Sequence, residues 1–91
     1  MRYRLRILAS AQRVLKTFRG RLGDEIAETL LDLRDDPYPL YSKGLEPGRE
    51  LHKIRVIYVD GWRVVYQVEE DDQTVIVLAI KKRNPDTYLN L

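Results

Sequence analysis

Asp60-Gly61 stands between two runs of alternating side chains, and this constrains the chain more than any other feature. Before it, from Leu51 to Ile57, Leu51, Ile54 and Val56 are set among Lys53 and Arg55. After it, Trp62, Val64, Tyr66 and Val68 alternate with Arg63, Val65 and Gln67. Successive strand residues point to opposite faces, and Asp-Gly between such runs is a strong hairpin signal. The spacing therefore predicts a β-hairpin from Leu51 to Val68. Lys53 and Arg55 share one face of its first strand, and Arg63 joins them across the turn if the register allows. A sheet that buries one side and carries fixed cations on the other suits a polyanion.

The rest of the chain supplies the cover for such a sheet. Arg2 to Leu8 alternates Tyr3, Leu5 and Ile7 against Arg2, Arg4 and Arg6, a half-buried strand. Its arginine row reads first as a solvated edge, since charge on an edge strand blocks unwanted pairing. Ser10 is the expected N-cap of a helix whose apolar positions run from Ala11 through Val14, Leu15 and Phe18 to Leu22. Gly20 and Gly23 break that pattern. Asp24 is the expected cap of a second helix with Ile26, Ala27, Leu30, Leu31 and Leu33 as its apolar stripe. Asp36-Pro37 ends it, because the residue before proline is pushed out of the helical region.

Residues 35–48 are punctuated by proline and glycine and read as a loop inside the domain. Glu69 to Gln73 reads as a polar, solvated turn. Thr74 to Ile80 is nearly apolar throughout, as an interior strand would be, and Lys81-Lys82-Arg83-Asn84-Pro85 closes it. The expected fold is α+β: an N-terminal strand, a two-helix hairpin, then a three-stranded antiparallel meander, together a four-stranded sheet in a single domain spanning 1–91.

Size and composition narrow the function. Ninety-one residues with 44% hydrophobic content make one domain, able to bury about two-thirds of its extended-chain surface. No apolar run approaches the roughly 20 residues of a membrane span, and the charged start is neither a signal nor a transit peptide. With no cysteine and a single histidine, thiolate and His-pair metal sites are excluded and a cytoplasmic setting is expected. Net charge is +2, but its distribution is uneven. Acids gather from Asp24 to Asp36 and in Glu69-Glu70-Asp71-Asp72. Bases gather at Arg49, Lys53, Arg55 and Arg63 and at Lys81-Lys82-Arg83. Arginine outnumbers lysine, and its planar fork matches phosphate.

Lys53, Arg55, Arg63, Arg83 and Tyr88 are then the residues able to carry chemistry. Cleaving an RNA phosphodiester needs a base for the 2′-hydroxyl, in-line positioning, cationic donors for the phosphoryl oxygens and an acid for the departing 5′-oxygen. Cations and a tyrosine can supply these without a metal. Packed cations lower one another's pKa, which would make Lys53 beside Arg55 a usable base. Trp62 and Tyr66, opposite Arg63, read as core, and His52 as structural. Tyr38 and Tyr41 are available in the loop to stack on a base or touch a partner.

These residues resemble the RelE/ParE toxin superfamily over nearly the whole chain. The likeness rests on Leu51-x-Lys53-Ile54-Arg55-Val56, on Gly61-Trp62-Arg63-Val64-Val65-Tyr66-Gln67-Val68, on Lys82-Arg83, and on Tyr88. The superfamily divides into ribosome-dependent messenger-RNA endonucleases and gyrase inhibitors. Lys53, Arg55, Arg63, Arg83 and Tyr88 match the five positions the RelE branch uses, which the gyrase-inhibiting branch commonly lacks in full. The resemblance implies a type II toxin that cleaves messenger RNA in the ribosomal A site without a cofactor or metal, leaving a 2′,3′-cyclic phosphate. Lys53 or Tyr88 would be the base, Arg83 would assist the leaving oxygen, and Arg55 and Arg63 would hold the phosphate. Arg49, Lys81 and Lys82 are expected RNA contacts. The implied partners are ribosomal RNA and a cognate antitoxin that covers the basic surface in a hetero-oligomer. A gyrase inhibitor without nuclease chemistry, or an inactive member that only binds antitoxin or RNA, are the alternatives. Two departures stand out. Arg55 stands where lysine is frequent, and the turn from Ile57 to Gly61 is about one residue longer than the family pattern, which bears on how Arg55 pairs with Arg63.

Overall fold

A computed structural model describes residues 2–44 and 54–83. The chain order is β1 (Arg4–Ile7), α1 (Ala9–Leu15), α2 (Gly20–Asp32), β2 (Lys43–Gly44), β3 (Ile54–Val59), β4 (Trp62–Glu69) and β5 (Thr74–Lys82). The sheet has the order β1-β5-β4-β3-β2. The meander β3-β4-β5 is antiparallel, as its turn residues require, while β1 pairs parallel to β5. The two-residue β2 adds a fifth strand at the far edge, beside β3, that the loop composition did not reveal.

Asp60 and Gly61 both adopt left-handed backbone, with φ of 46° and 83°. A two-residue hairpin loop with positive φ at both positions is the type I′ arrangement, whose twist matches the flanking strands. The register follows directly. Val59 pairs with Trp62, Tyr58 with Arg63, Ile57 with Val64, Val56 with Val65 and Arg55 with Tyr66. Directly paired residues share a face.

The helices start differently from the sequence expectation. Ser10 lies inside α1, where its hydroxyl donates to the Leu78 carbonyl at 3.5 Å, and Leu8 takes the N-cap position without a side-chain cap bond. Gln12 Nε2 donates to the Ile7 carbonyl at 2.8 Å instead. Asp24 likewise falls within α2, which begins at Gly20, and α2 ends at Asp32, ahead of Asp36-Pro37. The long helical pattern is thus cut between Leu15 and Gly20.

Both helices lie on one side of the sheet. Ala11, Ile26, Leu30 and Leu33 pack with Ile57, Val64, Tyr66, Val68, Val75, Val77 and Ile80 into one core. A bulge opposite Val65 and Tyr66 leaves Leu78 outside the pairing, so that Val75, Val77 and Ile80 all face the helices. That explains why β5 reads as continuously apolar. Trp62 and Tyr66 are on this side, as their alternation predicts, with Phe18 edge-on to Trp62 at 4.7 Å between ring centroids.

Candidate functional site

The side of the sheet away from the helices carries the candidate site. Arg63 on β4 stands between Tyr58 on β3 and Lys81 on β5, and pairing puts all three on that side. Arg83 follows β5. Its backbone N–H donates to the Gly61 carbonyl at 2.8 Å, which ties the chain to the hairpin turn. Its guanidinium lies over the Tyr58 ring, 5.0 Å from the centroid. Three cations and one ring thus gather at the turn end of the sheet. Of the acids on this hairpin, Glu69 is at the opposite end of β4, while Asp60 is in the turn at the same end as the cations.

Arg63 Nε is buried and, among the described residues, has no hydrogen-bond partner. A buried donor left unpaired costs about 1–3 kcal/mol, and Arg34 Nε is in the same position. A phosphate presents hydrogen-bond acceptors, and arginine's fork can engage two of them at once.

Arg55 is not part of this group. Pairing with Tyr66 turns it to the helix side. There its Nε and Nη2 donate to Ser42 Oγ at 3.2 and 3.0 Å, and Nη2 also reaches the Ser42 carbonyl at 3.4 Å. The guanidinium lies 5.3 Å from the centre of the Tyr38 ring. The physical reason is the two-residue turn: it fixes odd-numbered β3 residues on the side of Trp62, Val64 and Tyr66. The expected grouping of Arg55 with Arg63 is therefore corrected; Tyr58 takes the place across from Arg63. Lys82 pairs with Trp62, so it stands on the side opposite Lys81. Arg49, His52, Lys53 and Tyr88 lie outside the described residues.

A second polar cluster braces the loop that Arg55 holds. The Tyr66 hydroxyl donates to the Pro37 carbonyl at 2.7 Å, and burial raises the phenol's pKa. Glu70, in the turn read from sequence as merely solvated, accepts from the Tyr3 hydroxyl at 2.9 Å and from the Tyr38 hydroxyl. The bonds from Tyr38 and then Tyr3 hold its carboxyl below the usual glutamate range. Burial and the Glu70 contact push Tyr38 up. Tyr38 is thus anchored rather than free, whereas Tyr41 remains exposed. Among the described residues no three His, Cys, Asp or Glu side chains gather to hold a metal, and no helix is long and apolar enough to cross a membrane.

Two helices on one face of a mostly antiparallel sheet, with basic residues on the other, form the architecture of RelE/ParE-superfamily toxins. A family model described as the ParE toxin of the type II toxin–antitoxin system parDE matches residues 3–86. The chain belongs to that family and is a type II toxin of the RelE/ParE superfamily. Among solved structures it resembles the RelBE2 toxin–antitoxin complex from Mycobacterium tuberculosis, at 25% identity and TM-score 0.73 over 91% of this chain and 93% of that one. It also resembles the archaeal RelE–RelB complex from Pyrococcus horikoshii, at 22% identity and TM-score 0.82 over 93% and 99%. The isolated Escherichia coli RelE toxin matches at 20% identity and TM-score 0.75 over 97% and 93%. At these identities the likeness is one of fold. Comparison with curated proteins finds no match.

Proposed function

We propose that this toxin is a ribosome-dependent endoribonuclease that cuts messenger RNA in the A site. The observation that supports this reading is the convergence of Arg63, Lys81 and Arg83 at one end of the sheet face away from the helices. The ribose 2′-oxygen attacks phosphorus as its proton passes to a base, Tyr88, or Lys53 if it does not share the face to which pairing turns Arg55. The bond to the 5′-oxygen breaks, and that oxygen takes a proton as a 2′,3′-cyclic phosphate forms. Arg63 holds the phosphoryl oxygens and stabilises their added charge, and Arg83 assists the leaving oxygen. Lys81, with Arg49, contacts flanking RNA. Arg55 serves the fold, and Lys82 stands away from the scissile phosphate. No metal is required for these steps. A cognate antitoxin would neutralise the toxin by covering the basic face, as a hetero-oligomer in the cytoplasm.

Primer extension on a defined messenger RNA with purified ribosomes tests this. Cuts within A-site codons that need ribosomes and fall steeply in Arg83→Ala, to a residual rate that single-turnover measurement still reads, are expected; their absence from the wild type would reject the reading.

A second reading, a gyrase inhibitor without nuclease chemistry, is favoured by the commitment of Arg55 to the helix side and by the ParE family match. Blocked DNA supercoiling by purified gyrase, unchanged by Arg83→Ala, would establish it.

A further inference from the structure

Tyr58 belongs to neither the core nor the residue pattern that first suggests a site. It is 37% exposed, on the sheet face away from the helices, and its direct cross-strand partner is Arg63. The guanidinium of Arg83 rests over its ring at 5.0 Å. The ring therefore stands in contact with one cation and directly across from the other.

We propose that Tyr58 is a positioning residue of the cleavage site, its ring acting as the shelf that holds the Arg83 guanidinium on the same side as Arg63. The assignment rests on the ribonuclease reading above and deepens it. Arg83 lies just past the last paired residue, Lys82, and its one backbone anchor among the described residues is the bond to Gly61. Nothing in that anchor fixes a side chain with several rotatable bonds. The negative face of an aromatic ring does so by attracting the cation. In-line phosphoryl transfer depends on donors held in place, and a displacement of about 1 Å costs on the order of 100-fold in rate. The shelf also keeps two like charges on one side of the sheet, an arrangement that an anion between them relieves. A phosphodiester oxygen is such an anion.

The I′ turn supplies Tyr58 for this role. By fixing the pairing of Tyr58 with Arg63, it brings a ring to the face that carries Arg63 and Arg83. The hydroxyl has no part in holding a guanidinium over the ring, so the ring and the phenol can be separated experimentally.

The test is ribosome-dependent cleavage under single-turnover conditions with Tyr58→Phe, Tyr58→Leu, Arg83→Ala and the Tyr58→Leu/Arg83→Ala double variant. Thermal melts would confirm that each variant folds, and Tyr58→Trp provides a second aromatic replacement. Tyr58→Leu is expected to lower the cleavage rate roughly 10- to 100-fold, with apparent affinity for the ribosome unchanged. Tyr58→Phe and Tyr58→Trp should keep the rate within a few-fold. In the Arg83→Ala background, Tyr58→Leu should cost almost nothing further, because coupled residues are non-additive. Independent, multiplying losses would overturn the assignment, as would a Tyr58→Phe variant as impaired as Tyr58→Leu. Wild-type cuts that persist unchanged in Tyr58→Leu would overturn it while leaving the ribonuclease reading intact. A wild type that makes no cuts would overturn both.

Discussion

Arg55 and Tyr66 are direct partners across the β3–β4 ladder, and both reach out to the loop after α2. Arg55 donates to Ser42, and the Tyr66 hydroxyl donates to the Pro37 carbonyl. The pair fastens residues 37–42 over the end of the core. Ser42, only 7% exposed, bonds in turn to the Pro39 carbonyl at 2.7 Å.

Removing the arginine should therefore act on stability. Hydrogen bonds to a charged group are worth about 1.5–3 kcal/mol, so Arg55→Ala is expected to lower unfolding free energy by that order in urea titration. Under conditions where the variant stays folded, cleavage should fall far less than in Arg63→Ala. Equal losses of cleavage in the two variants would place Arg55 back at the scissile phosphate.

Arg63 and Lys82 make a contrasting pair. Arg63→Ala should reduce ribosome-dependent cleavage on the order of 100- to 1,000-fold, as loss of a preorganised oxyanion donor does. Lys82→Ala should remain near wild type, because its strand partner is Trp62 and it stands on the other side of the sheet. Rates measured in one assay series decide both expectations.

Gly61 holds φ at 83° with open space where a Cβ would be. The obstacle to substitution is thus backbone strain alone. Gly61→Ala should cost about 1–2 kcal/mol, the penalty of the left-handed region for an L-residue. Chemical denaturation reads it directly.

Glu70 predicts a pH effect. Its pKa in the folded protein is depressed, first by the Tyr38 hydroxyl and then by Tyr3. A group depressed on folding contributes stability above its unfolded value, about 4.3 for glutamate, and loses that contribution as pH falls through the folded value. Wild-type stability should therefore decline more steeply below about pH 4.3 than that of Glu70→Gln. Thermal melts at pH 7 and pH 3 compare the two; parallel decline would show that the phenol contacts carry no linkage.

Much of this molecule is legible in its sequence because periodicity and turn chemistry agree there. Trp62, Val64, Tyr66 and Val68 alternate cleanly, and they form the core face of β4. Asp60-Gly61 names its own turn type. The helix starts are less legible: Ser10 and Asp24 are good capping residues in principle, yet Leu8 and Arg19 hold the N-cap positions without side-chain caps. Packing of Ala11 and Ile26 against the sheet outweighs a local hydrogen bond. The site is legible in part. Of the residues expected to act together, Arg63 and Arg83 come to one end of the sheet with Lys81 beside them, but the side on which Arg55 emerges depends on register, which the β3 residues do not declare. The signal for Tyr58 is its distance from the turn, two residues before Asp60 as Arg63 is two after Gly61.

β3 has apolar residues on both of its sides. Val56 and Ile57 are adjacent and both buried, and Ile54 and Val59 continue the two rows. Such a strand has an apolar row ready for the core in either orientation, so turn length alone selects which row is used. Insertion or deletion of a single codon at the hairpin tip would invert the strand, withdrawing Tyr58 and presenting Arg55. In this fold, the residues that a sheet face presents can be exchanged during evolution by a change in length that touches none of the residues it brings in or takes away.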